Sequence, residues 1–186
     1  YIYTWPDLEY VATLTASDGR GGDQFGFGAG NLGGMVTICA RRNDNQGFTD
    51  AGAIYVFSQD RNLTEINKLV RPDPPDQAYF GQNIWLRGDG DDLKGDLLFV
   101  GSNELGVPNG DPGAVDLMRT SDGGLTWVTE RSIRTDMIND VAYLNYINDD
   151  GVIFVGAPYA EVNGISSGAV FLYHLDDEFP PTDPTP

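Results

Sequence analysis

Three segments of the chain repeat one short pattern, and this repeat constrains the fold more than any other feature. Each segment has a small residue, a glycine and an alanine, followed by large residues: AGAIYVF at 51–57, PGAVDLM at 112–118 and SGAVFLY at 167–173. Such a step is typical of a strand that begins at a tight turn. The three copies lie roughly 60 residues apart, which suits a unit of four short strands.

Three further strands are expected in each copy. Apolar runs at 35–41, 96–102 and 151–158 precede the Gly-Ala steps, and runs at 23–32, 77–86 and 139–147 precede those. The fourth strand is supplied by 5–18, 62–73 and 126–136, which end in Asp18, Asp73 and Asp136. The first of these opens the chain, whereas the last repeat has none after it. The pattern therefore predicts a permuted arrangement of the repeats.

The predicted fold is all-β and propeller-like, with three four-stranded antiparallel blades. The N-terminal strand, residues 4–18, would complete a blade either in cis or in trans from another subunit. The repeats span about 19–73, 74–136 and 137–175, within a domain over 1–175. The Pro-rich acidic segment 176–186 is expected to be a tail or linker.

The glycines of GAGNLG, Gly28 to Gly33, fit the spacing G-x-G-x-x-G of a dinucleotide-binding loop. That motif requires a helix after it, whose N-terminus faces the phosphate. Here the following residues, GMVTICA, predict a strand. The glycines are therefore interpreted as an inner strand and its turn, where neighbouring strands approach closely.

The chain resembles the FG-GAP repeat of integrin-α-type β-propellers. Phe25-Gly26 and Phe80-Gly81 match its FG element, and Gly156-Ala157-Pro158 matches its GAP element. Gly101-Ser102-Asn103 and Cys39-Ala40-Arg41 are degraded versions of the latter, and the third repeat has Asp140-Val141-Ala142 in place of FG. Each phenylalanine is expected to pack between sheets, while the following glycine allows close approach of the inner strand.

A second resemblance lies in TSDGGLTW, Thr120 to Trp127, which is similar to the Asp-box hairpin of sialidase-like and other propellers. Asp122 is expected to accept hydrogen bonds from turn amides, and Trp127 to pack beneath the turn. Gly123 and Gly124 would supply positive φ. In families that carry it, this hairpin is structural, so it favours a propeller blade and not glycosidase chemistry.

The acidic loop RGDGDDLKGD is the main candidate for a metal site. FG-GAP propellers often hold calcium before the second strand, and the resemblance makes Asp89, Asp91, Asp92 and Asp96 candidate ligands. A hard cation needs six to eight oxygens. The spacing departs from the family's D-x-D-x-D-G-x-x-D pattern, so a solvated acidic turn is the alternative.

Two other turns, 43–50 and 103–112, connect second and third strands and are rich in oxygen ligands. Asp44, Asp50 and Asn109 in them are candidates for contact with a cation or a partner. Ordinary turn chemistry of Asn, Asp and Gly explains them as well, and is favoured.

Charge and composition limit the function further. With 28 acidic and 11 basic residues, the net charge is −17, which disfavours nucleic acid as a partner. No apolar run approaches the length of a membrane span. The single histidine, His174, ends the last strand, so no Ser-His-Asp or Cys-His set is expected. Cys39 lies in an apolar run and is expected to be a buried small hydrophobe.

The leading hypothesis is a non-enzymatic extracellular or cell-surface module for adhesion or assembly, which self-associates by strand complementation. The alternative is a calcium-dependent lectin-like or protein-binding propeller, whose partner is a glycan or an extracellular protein. A sialidase-like hydrolase is a third, disfavoured hypothesis. Tyr1, Tyr3 and Trp5 crowd the first residues, and burying their rings predicts that this segment is ordered against another surface.

Overall fold

The structure is a computed structural model, and its side chains and strands are described for most of the chain. The described residues are 1–59, 61–72, 74, 76–88, 96–102, 113–134, 143–147, 151–158 and 160–174. Within these ranges the chain has strands and turns but no helix. Accordingly, no described helix is long and apolar enough to cross a bilayer.

The predicted all-β class is confirmed. The strands are β1 Ile2–Tyr3, β2 Tyr10–Ala12, β3 Phe25–Leu32, β4 Met35–Ala40, β5 Ala53–Ser58, β6 Thr64–Leu69, β7 Asn83–Gly88, β8 Asp96–Ser102, β9 Ala114–Thr120, β10 Val128–Arg134, β11 Tyr143–Ile147, β12 Val152–Ala157, β13 Glu161–Val162, β14 Ile165–Ser166 and β15 Ala169–His174. The three Gly-Ala steps lead directly into β5, β9 and β15, because each begins at the alanine.

Two complete four-stranded antiparallel sheets are present, as the repeats predict. Sheet one has the order β3-β4-β5-β6, and sheet two has the order β7-β8-β9-β10. In both, consecutive strands are neighbours, so each sheet is a simple meander. This local connectivity explains why strand order could be read from the order of the repeats.

Sheet three has the order β11-β12-β15, and a short hairpin, β13-β14, lies between its last two strands. The predicted first strand of this repeat is observed at 143–147. Among the described strands, β15 is the end of the sheet.

The N-terminal segment differs from the expectation of one long strand over residues 4–18. Instead, β1 and β2 pair with each other as a separate two-stranded hairpin, with Ile2 opposite Ala12. Within the described part of the chain neither strand pairs with β15, so completion of sheet three in cis is not observed. Completion in trans concerns a second chain and stays a prediction.

Apolar contacts between successive sheets form the core. We call the face of a sheet that looks toward the next sheet along the chain its forward face, and the opposite one its backward face. Sheet one packs its forward face, with Met35, Ile54 and Val56, against Leu98 and Val100 on sheet two. The forward face of sheet two packs in the same way on sheet three, through the cluster Leu97, Phe99, Val115, Leu117, Ile133, Ile153 and Val155.

The inner strands β3, β7 and β11 lie side by side, and glycine makes this approach possible at one point in particular. GAGNLG forms the end of β3 and a turn, and β4 follows without a helix, so the interpretation of these glycines is confirmed. A Cβ on Gly30 would lie 2.5 Å from Cδ1 of Leu86 on β7. A side chain at this position would force Leu86 to move, so glycine favours the close approach of the two inner strands.

The turn before β5 is locked to the turn before β7. The amide of Phe80 donates to the carbonyl of Ala51 at 2.9 Å, and the next residue, Gly52, has φ of +86°. A Cβ at Gly52 would lie 2.3 Å from the carbonyl oxygen of Phe80. Both the backbone conformation and the space therefore require glycine here.

Gly52→Ala is expected to destabilise the protein by about 2–4 kcal/mol, because positive φ and overpacking against backbone add together. Gly47→Ala is the matched control. Gly47 has φ of +88° with no atom within 4 Å of the added Cβ, so only the backbone strain of about 1 kcal/mol remains. Chemical denaturation at 25 °C measures both, and equal losses would contradict the steric argument.

Candidate functional site

The two ends of the stack of sheets are built differently, and both carry features of an interaction surface. Sheet three lies at one end of the stack. In sheets one and two, a fourth strand lies beside β5 and β9, whereas β15 in the equivalent position of sheet three has only β12 as a described neighbour. A sheet edge presents backbone donors and acceptors to any strand of another chain. Sheet three therefore ends in an edge suited to strand addition.

The forward face of the same sheet is apolar. Val170 and Leu172 project from β15 with 56% and 59% of their surface exposed. Val152 and Phe154 lie on the same face of β12 and are half-buried. Exposed neighbouring apolar side chains of this kind are typical of interaction sites.

At the other end, the backward face of sheet one is covered by the segment that precedes β3. Leu14 and Ala16 pack against the buried Tyr55 and Phe57. Asp18 holds the segment in place, because its carboxylate accepts hydrogen bonds from the Tyr55 hydroxyl and the Lys68 ammonium, both at 2.6 Å. This end of the stack is thus closed by the chain itself.

The pKa values of Asp18 and Tyr55 are both shifted in this attachment. The Lys68 ammonium and then the Tyr55 hydroxyl hold the pKa of Asp18 below its ordinary value. Burial raises the pKa of Tyr55, and its hydrogen bond to Asp18 raises it further. Next to it, the Ser17 hydroxyl donates to Glu65 on β6 at 2.8 Å.

The hairpin β1-β2 stands beyond this segment, and most of its aromatic surface faces water. Tyr1 and Trp5 are each 86% exposed, and Tyr3 contacts Tyr10 edge-on at 5.9 Å between ring centres. The expectation that this segment docks as a strand and buries its rings is therefore wrong within this chain. A groove of about 690 Å³ lies between the hairpin and Val36 on sheet one.

Of the predicted calcium ligands, Asp89, Asp91 and Asp92 lie outside the described residues. Asp96 begins β8, and its carboxylate points at the turn between β3 and β4, where a Cβ on Gly33 would lie 2.3 Å from Oδ2. The described residues contain no group of three carboxylate, histidine or cysteine side chains able to hold a metal ion. Calcium at this loop stays a prediction.

The candidate loop 43–50 is held by hydrogen bonds within the chain. The Asp44 carboxylate accepts the amide of Asp50 at 2.9 Å, and the Asp76 carboxylate accepts the amide of Thr49 at 2.7 Å. Tyr79 then donates its amide to the carbonyl of Asp50. Turn chemistry accounts for these contacts, and the third candidate of this group, Asn109, lies outside the described residues.

The turn between β9 and β10 is organised around Asp122. Its carboxylate accepts the backbone amide of Thr126 at 2.9 Å and the Thr126 hydroxyl at 2.6 Å. Gly123 and Gly124 both have positive φ, and Trp127 donates its indole N–H to the carbonyl of Gly124 at 3.0 Å. The Thr126 hydroxyl and amide lower the pKa of Asp122 to about 2.

This turn also connects two sheets. The Asn67 side chain on β6 donates to the carbonyl of Leu125 at 2.8 Å, and Trp127 packs on the core between sheets one and two. The geometry accounts for a structural role, while the similarity to the Asp-box hairpin stays a resemblance.

Comparison with known families decides the nature of sheet one. Residues 9–57 match the model of the FG-GAP repeat, which covers the segment before β3 and the strands β3, β4 and most of β5. Residues 9–57 are similar to the FG-GAP repeat. A comparison with curated proteins gives no match. FG-GAP repeats form β-propeller-type protein-binding or adhesion-like modules, are generally non-catalytic and occur in extracellular or surface proteins.

The two FG elements use their residues differently. Phe80 is buried between sheets one and two, and Gly81 has φ of +86° with Cys39 Cβ 3.3 Å from an added Cβ, as the close-approach interpretation requires. Phe25 instead packs edge-on against Tyr55 on the backward face. Gly26 has φ of +91° but open space around it, so backbone conformation and not crowding explains this glycine.

The GAP element of the third repeat closes β12. Gly156 and Ala157 are buried at the end of this strand, and Pro158 follows it at the surface. The carbonyl oxygen of Pro158 would lie 2.9 Å from a Cβ on Gly168, the glycine of the third Gly-Ala step. Cys39, in the degraded element of the first repeat, is fully buried as predicted, and burial raises the pKa of its thiol to about 12.

Two polar contacts were not predicted. Asp18 was recognised only as the end of a strand, and its bond to Lys68 spans 50 residues of sequence. Asp116, 4% exposed, accepts a hydrogen bond from Ser132 and lies 4.0 Å from Arg71. An aspartate in an alternating strand marks an exception to the apolar pattern, but nothing local in the sequence names its partner.

Lowering the pH is expected to weaken the turn at Asp122. Because the pKa of Asp122 in the fold lies below its ordinary 3.8, the charged carboxylate stabilises the fold above about pH 4. That contribution is lost as the pH falls toward 2. Asp122→Asn is therefore expected to show a flatter dependence of the unfolding midpoint on pH between 4 and 2.

Thr126→Val tests the cause, since it removes the hydroxyl that acts most strongly on Asp122. The pH-dependent loss of stability is then expected to be smaller than in the wild type and to be complete at a higher pH. Thr129→Val, at an exposed threonine on the adjoining strand, is the matched control. Identical pH profiles for the two threonine variants would contradict this account.

Proposed function

We propose that the protein is a non-enzymatic, extracellular adhesion or assembly module that associates with further copies of itself by strand complementation. The observation that carries the proposal is the shape of sheet three. Its described part has three strands where sheets one and two have four, and β15 lies at the end. A donated strand would give the sheet of the third repeat four strands, the same number as in the other two sheets.

The N-terminal segment is the proposed donor. The repeat pattern assigns residues 4–18 as a fourth strand, and Tyr3 and Tyr10 in the hairpin of this segment are more than half exposed. Donation to the sheet three of another copy is a head-to-tail contact. Such a contact repeats from copy to copy and builds a closed ring or an open filament, depending on the rotation.

The absence of catalysis is part of the proposal and rests on the family. FG-GAP repeats are generally non-catalytic. The hairpin at Asp122 offers no support for a sialidase-like hydrolase, because its carboxylate is already engaged by Thr126 in the turn.

Self-association is expected to depend on concentration. Light scattering coupled to size exclusion should show particles larger than the 20.2-kDa monomer, in a fraction that rises with protein concentration. An excess of a peptide spanning residues 1–18 should shorten the assemblies, because it occupies the edge of sheet three without offering a further edge. A scrambled peptide is the control, and assemblies that ignore both peptides would contradict strand donation.

A second candidate function is calcium-dependent binding of a glycan or protein. It is favoured by the groove beneath the N-terminal hairpin, whose lining combines aromatic rings with side-chain amides: Tyr1, Tyr3, Asn31, Gln59 and Asn62. Aromatic faces and amides together suit the apolar and hydroxyl surfaces of a sugar.

Calcium is expected to raise the unfolding temperature if Asp89, Asp91, Asp92 and Asp96 hold it. A concentration 100-fold above the dissociation constant would add about 2.7 kcal/mol of stability. Asp91→Asn combined with Asp92→Asn should remove the shift, whereas Asp44→Asn, in the loop held by hydrogen bonds, should retain it. Differential scanning fluorimetry with magnesium in parallel checks this, and an unchanged wild-type midpoint would exclude the site.

A further inference from the structure

The forward faces of the three sheets carry apolar residues at equivalent positions. Alignment on the Gly-Ala steps places Ile54, Val115 and Val170 at one position, and Val56, Leu117 and Leu172 at the next but one. Their exposed fractions are 0%, 0% and 56% at the first position, and 0%, 4% and 59% at the second. Equivalent apolar side chains are therefore buried on sheets one and two and exposed on sheet three.

The buried copies show what covers such a face. On sheet one, the partner is the backward face of sheet two, with Leu98 and Val100. On sheet two, it is the backward face of sheet three, with Val155 and Phe171. In both cases the cover is an apolar sheet surface from the neighbouring unit. The open face of sheet three continues this series of established interfaces.

The opposite end of the stack supplies a second exposed apolar surface. We call residues 1–18 the N-terminal cap. Its inner side covers sheet one through Leu14 and Ala16, and its outer side exposes the side chains Tyr1, Trp5, Leu8 and Tyr10 by 86%, 86%, 65% and 60%. The described part of the chain thus exposes apolar area at both ends of the stack, and the two surfaces are not alike.

We propose that the open forward face of sheet three, centred on Val170 and Leu172, docks on the N-terminal cap of a second copy of this chain. The inference rests on the proposed self-assembly and names its surfaces. A contact between two different ends leaves one of each free, so it propagates head to tail. The face-to-cap contact joins the same two copies that a donated strand would join, and it adds apolar side-chain contact to the backbone pairing of that strand.

The net charge of the chain determines how association between copies depends on salt concentration. Each copy carries −17, so copies repel one another at low ionic strength. Apolar docking against this repulsion is strengthened when salt screens it. Association held by ion pairs between copies would respond in the opposite direction.

The experiment uses the full chain in four forms. The face variant is Val170→Glu with Leu172→Glu, and the cap variant is Trp5→Ser with Tyr10→Ser. Val128→Glu is the matched control, because Val128 is a valine on another strand with a similar exposed fraction of 65%. Sedimentation velocity gives the size distribution, and thermal unfolding shows that each variant is folded.

The wild type and the control are expected to assemble, and the face and cap variants are each expected to stay monomeric. A 1:1 mixture of the two variants should form a dimer and nothing larger. It contains one intact face and one intact cap, which make one contact that cannot propagate. Leu172→Ala alone should raise the dissociation constant of the contact about tenfold, because it removes apolar area from the contact.

The outcomes separate this inference from the proposed function. A wild type that is monomeric at every concentration contradicts self-assembly itself. Assembly of the face variant like the wild type, with sensitivity to the 1–18 peptide retained, overturns the docking surface and leaves strand donation standing. A mixture that stays monomeric while the wild type assembles overturns the head-to-tail contact, as does a face variant whose only defect is a less stable monomer.

Discussion

The apolar contact between one sheet and the next is the interaction on which the rest of the structure depends. A four-stranded sheet with apolar side chains on both faces is not stable alone in water, because the apolar area of both faces would stay exposed. Sheet two solves this by packing between its neighbours, with Phe99 on one face and Leu98 on the other, both fully buried. Sheet one is covered on its other face by the N-terminal segment, whereas Val170 and Leu172 on sheet three stay exposed.

Close packing of the sheets determines where glycine is required. At Gly124, an added Cβ would lie 2.5 Å from Sδ of Met35, because the turn after β9 is pushed against the core of sheet one. Asp122 fixes this turn by accepting both the amide and the hydroxyl of Thr126. The turn of sheet two thus packs against sheet one and links the two repeats.

The ends of the stack explain why an interaction function is favoured. Sheet one, which contains most of the match to the FG-GAP repeat, is covered by the chain's own N-terminal segment, through Leu14 and the bonds of Asp18. The other end has no comparable cover among the described residues, and Leu172 remains mostly exposed there. Repeat architectures commonly need a cap on each terminal unit, and a unit without one offers its surface to a partner.

Much of the fold was predictable, because its signals are local. Gly52 and the alternation in β5 lie within seven residues, and the same holds for β9 and β15. The path of the N-terminal segment was not predictable in this way. Its strand-like pattern is compatible with pairing to any edge, and only the positions of Tyr55 and Lys68 show that Asp18 is held on sheet one. The acidic loop with Asp91 and Asp92 stays at the level of a sequence prediction.

The sequence by itself determined the strands within the described sheets and the turns between them, since residue periodicity and turn chemistry act over a few neighbours. Tertiary structure alone decided which faces are covered. Val56 and Leu172 occupy the same position in their repeats, yet one is buried and the other exposed. Val56 is covered by sheet two, whereas no described residue covers Leu172, and this contrast is a property of the packed chain and not of either segment.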